Sequence, residues 1–436
     1  LAVFHIDENK VVQLANEKVR NVDPVLEGNG DVAIGTNYQP YQRKQSWEMP
    51  PYKDVYLVDL QTGNKTMIKE EIQSHIDIST GGNYFYWYAY KDSSWHVYNH
   101  KTDEERNLTG DLSVNFYDED HDYPNEPYSY NYAGWTEDDE YFLVYDRYDI
   151  WRLDPTGKEK PVNLTNGYGR KEKRRFRYTE LDEDAMFIDD ELLLRAFDED
   201  TKASGYYRTS LNAKGNPEKL IMDDYSFYKP KKAENEEKLI WRKSSFKTYP
   251  DIWYSDLDFD NVRSISNVNP QQDDYIWGDV ELVEWVTNEG TKAEGLLYKP
   301  ENFDPDKEYP MIVYFYRLSS DRLHRHFIPK PSRFRYPCQR RLAAPMAVGF
   351  LSWCVGLIGM TAGIKKLRKL FHHPRFSIIS IIMVLILLTG GFSLLYNNSS
   401  ATIKSNQPVG TGQGTNPGRV VWSHNSEATS WNGESQ

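Results

Sequence analysis

The chain has 436 residues and is 14% aromatic, with 32 Tyr and 12 Trp, a composition that suits pleated sheets and argues against a helix bundle. Its net charge of -13 is unevenly spread: from residue 317 onward fifteen Lys and Arg face three acids, giving +12 and leaving -25 for residues 1–316. So acidic a body excludes non-specific nucleic-acid binding there, because phosphate is repelled. Both cysteines, Cys338 and Cys354, lie in the basic part, so the body has no disulfide and no thiolate metal site, which is neutral about compartment. The chain opens on Leu1-Ala2-Val3-Phe4-His5 without an initiator Met or a signal peptide, and reads as cut at its N-terminus.

In chain order, the first 260 residues carry a repeated unit. An apolar or aromatic strand ends in Asp or Asn and runs into a polar turn: Tyr56-Leu57-Val58-Asp59, His96-Val97-Tyr98-Asn99, Ile150-Trp151-Arg152-Leu153-Asp154, Ser210-Leu211-Asn212 and Trp253-Tyr254-Ser255-Asp256. The anchors step by 40, 55, 58 and 44 residues. Upstream of most anchors lies a second turn and strand: Gly81-Gly82-Asn83 before residues 84–88, Glu137-Asp138-Asp139-Glu140 before residues 141–145, and Asp189-Asp190-Glu191 before residues 192–194. Two hairpins per unit make four strands, and that spacing predicts an all-β fold, an incomplete β-propeller of four-stranded blades over residues 1–276, about five blades plus an N-terminal fragment. One small sheet cannot bury both faces alone, whereas stacked blades bury each other's. An open β-sandwich is the alternative.

After Asp260 the pattern changes. Residues 280–286 and 293–300 predict a hairpin around a Gly turn, and Met311-Ile312-Val313-Tyr314-Phe315-Tyr316 reads as a strand covered on both faces, as in an α/β sheet. Several segments carry a family resemblance: Tyr249-Pro250-Asp251-Ile252-Trp253-Tyr254-Ser255-Asp256-Leu257, residues 267–271, Val283-Glu284-Trp285, residues 295–304 and residues 309–316. Gly134-Trp135-Thr136-Glu137-Asp138-Asp139 and residues 145–151 add to it. Together they resemble the prolyl oligopeptidase family of serine peptidases, dipeptidyl peptidase IV branch, from residue 1 to about 316–330. The resemblance implies a propeller that caps an α/β-hydrolase domain and admits short or unfolded peptides. It also implies removal of N-terminal dipeptides, often after Pro or Ala, by a periplasmic or secreted parent enzyme of bacterial type. On this reading residues 277–330 are the start of the hydrolase domain, truncated.

The chemistry of such an enzyme is missing from the chain. An α/β-hydrolase presents its nucleophile in a Gly-x-Ser-x-Gly elbow, followed by an Asp and a His. The nearest approach, Gly391-Phe392-Ser393-Leu394-Leu395, lacks the second Gly and lies in an apolar run. No catalytic, cofactor-binding or metal-binding residue is therefore assigned, and the chain is expected to be inert as a peptidase. Asp118-Glu119-Asp120-His121-Asp122 reads as a solvated acidic loop, with cation binding as the alternative. Glu70-Glu71 matches no family motif for gripping an amino terminus. The aromatic runs over residues 84–98 read as blade core. Asn107-Leu108-Thr109 and Asn163-Leu164-Thr165 fit a glycosylation pattern but fall where turns close the units.

Residues 331–359 form a basic and then apolar junction, with residues 343–363 approaching a membrane span in length; a stretch buried in protein or mistranslated is the alternative. From Met360 a basic stretch leads into residues 376–396, which carry no charge, the layout of a signal anchor crossing a bilayer as a transmembrane helix. A soluble buried helix is the alternative. Residues 397–436 read as a flexible tail, with Gly410-Thr411-Gly412-Gln413-Gly414 as linker rather than phosphate cradle, and the part from about 360 resembles the membrane-anchored N-terminus of an uncharacterised bacterial family. Three functions follow: the substrate-gating part of a serine exopeptidase without its catalytic part, a non-catalytic membrane-tethered propeller that binds peptide or protein, or an artefactual fusion of two gene fragments through a frame disruption in 317–359. Peptides are the expected partners, with the membrane through residues 376–396, no nucleic acid and no cofactor; the oligomeric state is left open.

Overall fold

The computed structural model describes residues 1–182, 184–314 and 318–326, and the strands β25 (Ser430–Trp431) and β26 (Glu434–Ser435). Two compact units divide the chain: Leu1–Phe303 with Leu318–His326, and Asp304–Arg317 with Phe327–Gln436. The expected junction, membrane anchor and elbow-like Gly391 segment, and the tail apart from those two short strands, lie outside the described residues. No helix among the described residues is long and apolar enough to cross a membrane.

The first unit is built from antiparallel sheets. A hairpin of β1 (Ala2–His5) and β2 (Lys10–Gln13) comes first. Sheet one follows with β3 (Asn21–Pro24), β4 (Val32–Asn37), β5 (Lys53–Asp59) and β6 (Lys65–Ile72). Sheet two holds β7 (Ile76–Ile78), β8 (Tyr84–Ala89), β9 (Ser94–Asn99) and β10 (Glu104–Asn107), and sheet three β11 (Tyr132–Trp135), β12 (Phe142–Tyr145), β13 (Ile150–Leu153) and β14 (Val162–Asn163). After one helical turn, α1 (Tyr168–Lys171), sheet four has β15 (Arg174–Tyr178), β16 (Glu191–Asp198), β17 (Ser204–Ser210) and β18 (Glu218–Asp223). Sheet five has β19 (Ser226–Ala233), β20 (Glu236–Ser244), β21 (Asp251–Asp256) and β22 (Arg263–Ser264), and the hairpin β23 (Asp279–Val286) and β24 (Lys292–Lys299) ends the series. Every four-stranded sheet is an up-and-down meander with its strands in chain order.

The anchor Asp and Asn residues have a local cause. The Asp59 carboxylate accepts the amides of Gln61 and Thr62, and Asn99 Oδ1 accepts those of Lys101 and Thr102. Asp154 does the same for Thr156, Lys158 and Glu159. Each caps the tight turn that leaves the third strand, a role that Asp and Asn side chains perform because they reach the backbone two or three residues on. Gly63, at φ +74, completes the first of these turns; an added Cβ would stand 2.7 Å from the Gln13 carbonyl.

Alternation along the strands then decides how sheets meet. Within β8, Phe85 and Trp87 join Val25, Ile34 and Val55 of sheet one, while Tyr84, Tyr86 and Tyr88 join Trp135, Phe142 and Val144 of sheet three. In β12, Leu143 and Tyr145 turn to Phe176, Leu192 and Leu194 of sheet four. In β17, Tyr207 belongs to that cluster while Tyr206 packs with Phe227, Leu239 and Trp241 of sheet five. The hairpin β1–β2 covers the remaining face of sheet one through Val12 and Leu14. Sheets therefore stack in sequence, each middle one buried on both faces. A buried polar hook links two of them: Asp139, 1% exposed, accepts Ser79 Oγ at 2.6 Å and the amides of Gly81 and Asn83.

The described part of one expected strand is unpaired. Residues 311–314 pair with no strand, and Met311 and Ile312 are exposed. An apolar strand of a parallel sheet needs neighbours on both sides, and none pairs with it among the described residues. Residues 315 and 316 of that expected strand lie outside the description. The expected hairpin before it is present, in register from Asp279 with Lys299 to Val286 with Lys292.

Candidate functional site

The first strands of sheets one and two are short, each carries one aspartate, and they frame a cavity of about 450 Å³. Asp23 comes from β3, Thr36 from β4, Lys53 from the start of β5, and Asp77 from β7, with Arg20 and His75 on the adjoining turns. Lys53 is only 5% exposed. Its ammonium lies 5.7 Å from the centre of the Tyr38 ring, which also lines the cavity. Burial pushes the Lys53 ammonium below the ordinary lysine range, with Asp77 opposing that shift. Burial pushes the Asp77 carboxyl up, against the Ile78 amide that it accepts at 2.8 Å and against the charges of His75 and Lys53. Burial also raises the Tyr38 hydroxyl, and Asp23 adds to the rise.

Such a cavity can hold a polar molecule with charge of both signs: Asp23 and Asp77 face an ammonium, Lys53 and Arg20 a carboxylate or carbonyl. It holds no acyl-transfer machinery. Thr36 and His75 share no hydrogen bond among the described residues, and a nucleophile needs its base within about 3 Å.

The residues singled out in the sequence fall elsewhere. The acidic loop at 118–122 is held by arginines: Arg147 pairs with Asp120 at 2.9 Å and with Glu119 at 3.7 Å, and Arg170 with Glu119 at 3.7 Å. No group of His, Cys, Asp and Glu suited to a metal ion occurs among the described residues. Glu71 is paired with Lys44 at 2.7 Å on the surface. Asn107 Oδ1 accepts the amides of Thr109 and Gly110, and Asn163 Oδ1 that of Thr165, so both acceptor-pattern asparagines serve turns. Residues 84–88 are all buried between sheets. Asp23 and Asp77 were not singled out by sequence, since strands of three or four residues carry no readable period; the available signal for Lys53 was a lysine opening the strand that runs on through Val55-Tyr56-Leu57-Val58.

No protein-family profile and no curated protein sequence matches the chain. Among solved structures it is similar to one from Bacteroides ovatus assigned as a dipeptidyl aminopeptidase IV, at TM-score 0.45 and 13% identity over 69% of this chain and 49% of that one. A prolyl endopeptidase structure gives TM-score 0.41 at 14% identity, over 71% and 44% of the two chains. An acylaminoacyl peptidase bound to a peptidyl chloromethyl ketone gives 0.38 at 10%, over 70% and 47%. The chain thus spans about half the length of the solved structures it matches.

Proposed function

We propose that residues 1–276 are the substrate-gating propeller part of a serine-type exopeptidase that removes N-terminal dipeptides, that residues 277 to about 330 are the start of its hydrolase domain, and that this chain performs no peptide hydrolysis. The observation that carries the reading is the run of five four-stranded meanders packed face to face in chain order, followed by the β23–β24 hairpin. Three segments of the family resemblance fall on that framework: residues 251–256 form β21, Val283-Glu284-Trp285 lies in β23 and residues 295–299 in β24. The cavity at the first strands of sheets one and two supplies charge of both signs for a peptide end. The lack of a Gly-x-Ser-x-Gly elbow in the sequence supports the absence of hydrolysis.

Calorimetric titration tests the gating role. Tripeptides beginning Ala-Pro or Gly-Pro bind the full chain saturably, whereas a folded protein of similar composition does not. A fluorophosphonate probe leaves the chain unlabelled, and Ala-Pro anilide is not turned over. Serine-dependent turnover contradicts the inactivity, and a lack of any peptide binding contradicts the gating role.

A further inference from the structure

A second cavity, of about 330 Å³, opens at the first strands of sheets four and five. Five guanidinium groups line it: Arg175 and Arg177 from β15, Arg195 from β16, and Arg322 and Arg325 from the segment 318–326. One carboxylate, Asp321, lies among them. In so acidic a body a concentration of five arginines is unlike the surface around it.

Register places the charges where they repel. Arg177 stands directly opposite Arg195 across the β15–β16 ladder, and like charges in that position destabilise a sheet. Neither forms an ion pair among the described residues, although the Asp146 charge lies near enough to favour the Arg177 guanidinium. Arg177 donates only to backbone carbonyls, Phe176 O at 2.7 Å, Arg147 O at 3.1 Å and Asp146 O at 3.3 Å. Arg195, Arg322 and Arg325 have no ion-pair partner among the described residues, and all three are exposed. Arg175 shows what these groups take. Its Nη2 donates to Asp321 at 2.8 Å, its Nε lies 3.4 Å from Glu199, and its guanidinium lies over the Phe197 ring at 4.5 Å. An internal carboxylate has therefore taken one fork and backbone carbonyls that of Arg177, and the forks of Arg195, Arg322 and Arg325 remain for a second oxyanion.

We propose that this cavity is an oxyanion-binding site, in which Arg195 and Arg325, with Arg177 and Arg322 beside them, hold a carboxylate or phosphate group of a small ligand. The planar guanidinium matches both groups in two-point geometry. A bound anion also removes the repulsion between Arg177 and Arg195, so binding and sheet pairing reinforce each other. The site lies apart from the cavity around Lys53 and shares no lining residue with it, so it stands whether or not the peptidase reading holds.

The test is calorimetric titration of the full chain with glutarate and, separately, inorganic phosphate at fixed ionic strength, with chloride as control. At least one oxyanion binds, and the paired change Arg195→Gln with Arg325→Gln weakens it about tenfold or more, as expected for loss of charge-assisted bonds. Lys101→Gln, on the surface of sheet two, leaves binding unchanged. Glutarate alone binding assigns a carboxylate ligand, and phosphate binding more tightly assigns a phosphate one. Arg195→Lys keeps the charge without the fork and falls between wild type and Arg195→Gln, which also guards against a misfolded variant. Binding of neither oxyanion, or equal binding by the paired variant, overturns the proposal.

Discussion

Lys53 is the residue whose burial is hardest to account for by folding alone. A lysine with 5% exposure and no carboxylate in hydrogen-bond contact loses solvation that its neighbours only partly restore. Because its folded value lies below the ordinary 10.5, the unfolded chain binds more protons between those two values, and stability rises with pH across that window. Lys53→Met keeps the stem's packing and removes the charge. The variant is expected to be more stable than wild type by about 1 kcal/mol near neutral pH, with the gap closing as pH approaches about 10. Urea unfolding at several pH values measures both effects. A destabilised variant, or a gap independent of pH, shows that the buried ammonium is better compensated than its surroundings indicate.

At the scale of the strand, β17 shows how little room the stacking leaves. Gly205 pairs with Met222, beside the irregularity between Tyr206 and Tyr207. A Cβ there would lie 2.0 Å from the Ile221 carbonyl oxygen and 2.7 Å from Met222 Cα, both backbone. Gly205→Ala must therefore displace β18 and is expected to cost about 3 kcal/mol, read from the urea midpoint; a midpoint unchanged from wild type contradicts that pairing. The same strand illustrates what was legible in the sequence. Each repeated anchor sits at the end of the third strand, or just past it for Asp154 and Asn212, and residues 84–88, 142–145 and 192–194 fall on the second strands. Both are readable because an Asx-capped turn and a buried aromatic run leave local marks. First strands leave none. The meeting of Arg177 with Arg195, or of Lys53 with Asp77, depends on pairing between segments far apart in the chain, which no local pattern encodes. The apolar run at 311–314 shows the same limit: its composition suits a strand, but pairing needs neighbours, and none pairs with it among the described residues.

For the molecule as a whole, the stack explains why tyrosine and tryptophan are so abundant. Each junction between sheets packs wide, flat side chains from at least one side, and alternation lets one strand serve two junctions. Tyr84 lies over Trp135 with ring centres 5.7 Å apart, and Trp135 lies over Phe142 at 4.6 Å. The outer positions of sheet five differ: Ile240 and Ile252 are 46% and 37% exposed. Burial on both faces is thus a property of the middle of the series. It is what makes four short strands a stable unit, since an isolated sheet of that size would leave one apolar face in water.

A double-mutant cycle on Tyr86 and Phe142, whose rings meet across sheets two and three at 4.9 Å, tests this stacking most directly. With Tyr86→Leu, Phe142→Leu and the pair compared by urea unfolding, facing sheets predict a coupling of about 1 kcal/mol. Effects that add to within about 0.3 kcal/mol would place the two rings apart and contradict the packed series on which the gating role rests.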